Sequence, residues 1–166
     1  MTEQQIRGSM SNCSRGDAKS MTLPRELDLL DWAGLDFLGW RDPRAPLRGY
    51  LVMWRDGRAV GVQLRAAESK MSRRVSAMCS LCRTSQPGNN VSLFAARRAG
   101  QSGRDGNTVG TYICADLACC RNARMVKPTA SVHPAPGLTV EQRVDGLLAR
   151  ADSFVAEVLG SAPVHG

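Results

Sequence analysis

Two stretches decide how this chain reads: MCSLC (78–82) and GNTVGTYICADLACC (106–120). Cys79 and Cys82 have two residues between them, Cys114 and Cys119 have four, and Cys120 follows at once. The two pairs stand 31 residues apart. A tight turn sets two thiolates about 3–4 Å apart, the spacing that tetrahedral Zn–S bonds of about 2.3 Å require. The second pair falls where a strand runs into a helix, whose N-terminus offers partial positive charge and free N–H groups to sulfur. Successive helix positions point about 100° apart, so only one of Cys119 and Cys120 faces a metal. Cys119 is the expected ligand, and Cys120 and Cys13 are expected to act as small apolar core residues.

The residues between the pairs support this. VSLFAAR (91–97) and TVGTYI (108–113) read as two strands joined by a Gly-rich turn at 100–107. After Cys114, Asp116 is placed to cap a helix running through Leu117, Ala118 and Cys119 towards Met125, with Pro128 ending it. Knuckle, hairpin and helix in that order make a treble-clef layout over residues 71–128. Four thiolates on one Zn²⁺ leave a net −2, which Arg83 and Arg121 are positioned to offset. A closed Cys₄ site has no open coordination position and is structural. Such sites contribute on the order of 10 kcal/mol of apparent folding energy. A thioredoxin-like redox pair uses one CxxC and no second pair, and an iron–sulfur centre fits the hairpin-plus-helix spacing less well.

Moving outward, GYLVMW (49–54) and RAVGVQL (58–64) are apolar runs split by Arg55-Asp56-Gly57, a hairpin signal. Upstream, DFLGWRDP (36–43) gathers Phe37, Leu38 and Trp40 before a turn at Arg41-Asp42-Pro43. Residues 26–33 read as one short helix or turn, 12–24 as a polar mixed segment, and 68–76 as a polar, basic connector. Thr2 and Gln5 form a capping box for a short first helix. Residues 129–138 (TASVHPAPGL) have linker composition. Thr139 and Gln142 cap the best helix, 139–160, whose apolar stripe runs from Val140 through Leu147, Ala151, Phe154 and Val155 to Leu159, with Gly160 as its stop. That stripe is expected to pack against the rest of one α+β domain, residues 1–166, built on a small antiparallel sheet. The three Trp look like core.

The whole chain has 166 residues, six Cys and a formal net charge of +7, with 22 Lys and Arg against 15 Asp and Glu. The excess is local: residues 71–128 hold nine basic side chains and two acidic ones, together with five of the six Cys. Clustered Cys favour metal over disulfides in a reducing compartment, and a basic excess favours an acidic partner. No apolar run approaches the roughly 20 residues a membrane helix needs, and the N-terminus has no signal-peptide pattern. The expected location is therefore the cytoplasm. With two His, no paired carboxylates, no nucleophile motif and no phosphate loop, the pattern does not suggest an enzyme.

The knuckle 78–82, the run 106–120 and the upstream stretch 36–43 together resemble the zinc-finger domain of the elongation-factor-G-binding family, which includes the FusB-type fusidic-acid-resistance proteins. NCSRGDAK (12–19) is similar to the single-domain actinobacterial members. The resemblance covers roughly residues 10–160. It implies Cys79, Cys82, Cys114 and Cys119 as ligands of one structural zinc ion. It also implies binding of elongation factor G and help in releasing it from the ribosome, without covalent chemistry. The implied binding surface surrounds the knuckle and its hairpin: Met78, Leu81, Arg83, Arg97, Arg98, Arg104 and Tyr112. FusB-type proteins carry a helical domain ahead of the zinc domain, for which this sequence has no room, so resistance is less directly implied than factor binding. A monomer is expected. The second reading is a ribosome- or rRNA-binding zinc protein, such as a hibernation or stress factor. With few aromatic residues to stack on bases, such binding would rest on phosphate contact.

Overall fold

The computed structural model describes residues 1–32, 35–125 and 138–161. In chain order they form α1 (Glu3–Ser9), α2 (Arg15–Ser20), β1 (Leu38–Asp42), β2 (Ala45–Arg55), β3 (Arg58–Ala66), β4 (Ser76–Met78), β5 (Ser85–Pro87), β6 (Val91–Arg97), α3 (Gly100–Arg104), β7 (Thr108–Cys114), α4 (Cys119–Arg124) and α5 (Val140–Leu159). Five strands make one antiparallel sheet in the order β1-β2-β3-β6-β7, and β4 pairs with β5 on its own. The fold is α+β, with a C-terminal amphipathic helix.

The β2–β3 hairpin forms the frame. Asp56 and Gly57 both take positive φ, 48° and 71°, the turn geometry that matches the right-handed twist of two paired strands. From Tyr50 to Met53 every residue of β2 is buried, so this strand is covered on both faces. Leu51 and Met53 look one way, with Val62, Leu64, Phe94, Ile113, the α5 residues Leu147, Phe154 and Val155, and the four clustered cysteines. Tyr50 and Val52 look the other way, towards Trp40, Ile6, Ala18 and Met21. The sheet thus divides two cores, with the N-terminal helices over one face and the cysteine region and α5 over the other.

Both capping boxes are present, Thr2 with Gln5 and Thr139 with Gln142. Gly160 closes α5 with φ +69°, a left-handed C-cap. Its stripe packs inward as expected, although Val140 at its first turn is exposed.

The short helix or turn expected at 26–33 is a 3₁₀ turn at Leu27–Leu29. Other expectations change. The segment 12–24 contains α2, capped by Ser14. The stretch before Pro43 is a strand, β1, whose alternation of Leu38, Trp40 and Asp42 inward is too short to stand out. The turn at 100–107 includes the five-residue α3. Trp40 is buried and Trp32 partly so, but Trp54 lies exposed on β2. The helix after Cys114 begins at Cys119 rather than at Leu117: Leu117 has φ +59°, a left-handed residue that no helix interior accepts. Asp116 still accepts a hydrogen bond from the Ala118 N–H at 3.0 Å, so it shapes the turn instead of capping the helix. Most of the linker 129–138, and Pro128 with it, lies outside the described residues.

Candidate metal centre and the surface beside it

Two left-handed residues set the geometry of the cysteine pairs. Arg83, at φ +56°, turns the chain directly after Cys82, and its N–H donates to the Cys79 carbonyl at 2.9 Å. The Cys79 N–H donates in turn to the Thr84 carbonyl, closing the knuckle between β4 and β5. Leu117 does the same work between Cys114, the last residue of β7, and Cys119, the first of α4. β1 presses on this second turn. A Cβ at Gly39 would stand 2.7 Å from the Leu117 carbonyl oxygen, so only glycine fits there.

The four sulfurs converge. Cys79 Sγ lies 3.7 Å from Cys119 Sγ, Cys82 Sγ lies 3.6 Å from Cys114 Sγ, and all four fall within 4.8 Å of one another. Zn–S bonds of about 2.3 Å in a tetrahedron put sulfurs about 3.8 Å apart, so the observed spacing fits one zinc ion. All four side chains are buried. The Cys114 sulfur accepts hydrogen bonds from the Gln86 and Asn122 side-chain amides at 3.2 and 3.3 Å. The Cys82 N–H points at Cys79 Sγ at 3.4 Å. Amide donors aimed at sulfur favour thiolate over thiol. Crowding by the Cys114, Cys79 and Cys82 sulfurs, together with burial, pushes the Cys119 thiol upward, so the cluster resists carrying four negative charges by itself. A central dication reverses that penalty.

Cys120 takes no part. Its thiol donates to the Phe37 carbonyl at 3.2 Å, and burial pushes it up to about 12, which leaves it an inert packing group. Arg121 is engaged by Asp116 at 2.9 Å. A cation also reaches the knuckle backbone from α5: Arg150 Nε donates to the Leu81 carbonyl at 2.6 Å. Gln86, Asn122 and Arg150 were not singled out from sequence. Asn122 stands three residues after Cys119, a helical spacing that was open to reading, whereas Gln86 and Arg150 carry no such signal.

The proposed contact residues separate into two groups. Met78 and Tyr112 are 51% and 47% exposed, and the Tyr112 carbonyl accepts the Ser80 N–H at 2.7 Å, so knuckle and β7 form one surface. Leu93, directly across from Tyr112 in the ladder, adds a further exposed apolar side chain, and Arg83 is exposed beside them. Leu81 is buried at 3%, because its side chain closes the core beneath the knuckle, and so it leaves this surface. Arg97, Arg98 and Arg104 lie towards the other end of the β6–β7 hairpin. Arg98 is tied to α5 through Glu157, at 2.9 Å, and through that residue's carbonyl.

Among the described residues no helix is long and apolar enough to cross a membrane. No curated protein matches the chain. A solved structure, that of the fusidic acid resistance protein FusC, is 25% identical over 63% of this chain and 46% of that one, with a TM-score of 0.47. The matched region is thus about half the length of that protein. The FBP C-terminal treble-clef zinc-finger family matches residues 5–158. With nearly every described element inside that match, and four cysteines spaced for one zinc ion, this chain belongs to the FBP C-terminal treble-clef zinc-finger family.

Proposed function

We propose that this chain binds elongation factor G and acts in translation, assisting the factor's release from the ribosome in the manner of the FusB-type proteins. The observation that carries the reading is the surface beside the metal centre. Within a zinc-finger domain of this family, Met78, Leu93 and Tyr112 hold exposed apolar area on strands that the knuckle braces, with Arg83 next to them. Exposed aromatic and Met side chains with a neighbouring Arg are the composition of protein-contact centres. Zinc, held by Cys79, Cys82, Cys114 and Cys119, supplies the cross-link that fixes the knuckle against β7 and α4. The chain's own residues then do the binding: Met78 and Tyr112 bury apolar area on the factor, and Arg83 reaches an acidic side chain. The proposed role is contact without chemistry, and the place of action is the cytoplasm.

The test is a calorimetric titration of elongation factor G with nuclease-treated protein. Saturable binding, weakened at least about tenfold by Met78→Ala with Tyr112→Ala, supports the reading. Binding to RNA alone, with a steep salt dependence, would replace it with the ribosomal-RNA alternative.

A further inference from the structure

The sheet contains a defect on the face that carries the N-terminal helices. β3 and β6 pair only through Arg65↔Ala95 and Ala66↔Phe94, and beyond that the ladder ends. Asn12 bridges the opening. Its amide nitrogen donates to the Gln63 and Arg97 carbonyls at 3.0 and 2.9 Å, and its amide oxygen accepts the Gln63 N–H at 2.7 Å. A side-chain amide thus stands where a strand would pair. Over this opening lies a cleft of about 700 Å³, a volume suited to a small-molecule ligand.

The charge around the cleft is one-sided. Among the described residues, Arg48, Arg65, Arg97, Arg98 and Arg104 line it against a single carboxylate, Asp17. They come from β2, β3, the end of β6, the residue after it, and α3, so the fold gathers them from distant parts of the sequence. Arg48 and Arg65 stand directly opposite each other in the β2–β3 ladder, a like-charge pairing that costs stability unless an anion lies between. The counter-charges present are weak or exposed. Asp17 is 3.8 Å from Arg48 and Glu68 is 3.5 Å from Arg65, whereas the Arg98 guanidinium is already taken up by the Glu157 carboxylate at 2.9 Å and carbonyl at 2.8 Å on α5. Among the described residues no aromatic ring lines the cleft, so a base finds no stacking platform there.

We propose that this cleft is a binding site for a polyphosphate group, carried by a nucleoside di- or triphosphate or by inorganic polyphosphate. Several guanidinium forks around one space suit a ligand with several phosphates, each offering paired oxygens. The site is separate from the factor-binding surface at Met78 and Tyr112 and does not depend on that reading. It also gives Arg97 and Arg104 a shared role that the knuckle surface does not.

The test is calorimetry on the zinc-loaded full chain at low salt, with sodium tripolyphosphate as one probe and ATP as the other. Saturable one-site binding of both is expected. Equal affinities assign the site to the phosphate chain alone, and tighter ATP binding assigns it to the nucleotide. Arg65→Gln with Arg97→Gln should weaken either probe at least about tenfold, as charge-assisted hydrogen bonds are lost. Arg73→Gln with Arg74→Gln, in the exposed connector, should leave it unchanged. Asp17→Asn keeps every arginine and should tighten binding about threefold by removing the opposing charge. Absence of saturation with both probes, an equal loss from the Arg73 and Arg74 substitutions, or binding of single-stranded RNA alone would overturn the proposal.

Discussion

Arg83 pays a conformational cost for its position. A left-handed residue other than glycine costs roughly 1–2 kcal/mol, and Arg83 holds φ +56° to close the knuckle. Arg83→Gly should therefore raise stability by about 1 kcal/mol in a denaturant titration and, on the proposed function, weaken binding of elongation factor G in calorimetry. Asp42 makes a second residue-scale case. Burial alone would push its carboxyl up, but N–H donors from Thr22 at 3.0 Å and Arg44 at 2.9 Å hold it below the usual range. Its stabilisation is thus complete above the ordinary carboxylate pKa and is lost as the pH falls through the lower folded-state value. The stability gap between the native chain and Asp42→Asn, measured against pH, should be widest near neutrality and close in acid. At this scale the cysteine spacing was legible, because ligand geometry constrains it directly. The left-handed Arg83 and Leu117 were not, since neither residue type announces that conformation, and this is why Asp116 read as a helix cap.

Among the elements, α5 is the one that locks the metal region to the sheet. Its apolar stripe was plain from the sequence. Its polar anchors were not, because they join residues far apart in the chain. Arg55 on β2 and Asp152 on α5 form a buried ion pair at 2.5 Å, and Arg150 holds the knuckle carbonyl of Leu81. Removing one member of a buried pair strands the other charge and costs about 3–5 kcal/mol. Asp152→Ala should lose stability of that order by thermal or chemical unfolding, whereas an exposed pair such as Arg65–Glu68 should contribute about 0–1 kcal/mol. The β2–β3 hairpin followed from Asp56-Gly57, but the meeting of β3 with β6, and the use of Asn12 to fill the gap, depend on tertiary packing that no local pattern records.

At the scale of the whole molecule, the sheet carries two different cores. The N-terminal side is ordinary apolar packing around Trp40 and Tyr50, whose rings stand 4.9 Å apart. The other side is packed around four sulfurs, so its integrity is tied to a metal that such thiolates bind with on the order of 10 kcal/mol. The net charge of +7 looked like one basic face when read from residues 71–128. In three dimensions it is spread: Arg83 stands at the knuckle, Arg73 and Arg74 on the exposed connector, Arg121 and Arg124 pair with Asp116 and Asp36, and the cleft beside Asn12 takes two of its arginines, Arg48 and Arg65, from outside that segment. The most direct test of this account is zinc stoichiometry by mass spectrometry of the purified chain, combined with thermal unfolding, for the native protein and for Cys119→Ser and Cys120→Ser. One zinc per chain in the native protein and in Cys120→Ser, with loss of the metal and a large fall in melting temperature in Cys119→Ser, is the predicted result. Full zinc retention and native stability in Cys119→Ser would contradict it.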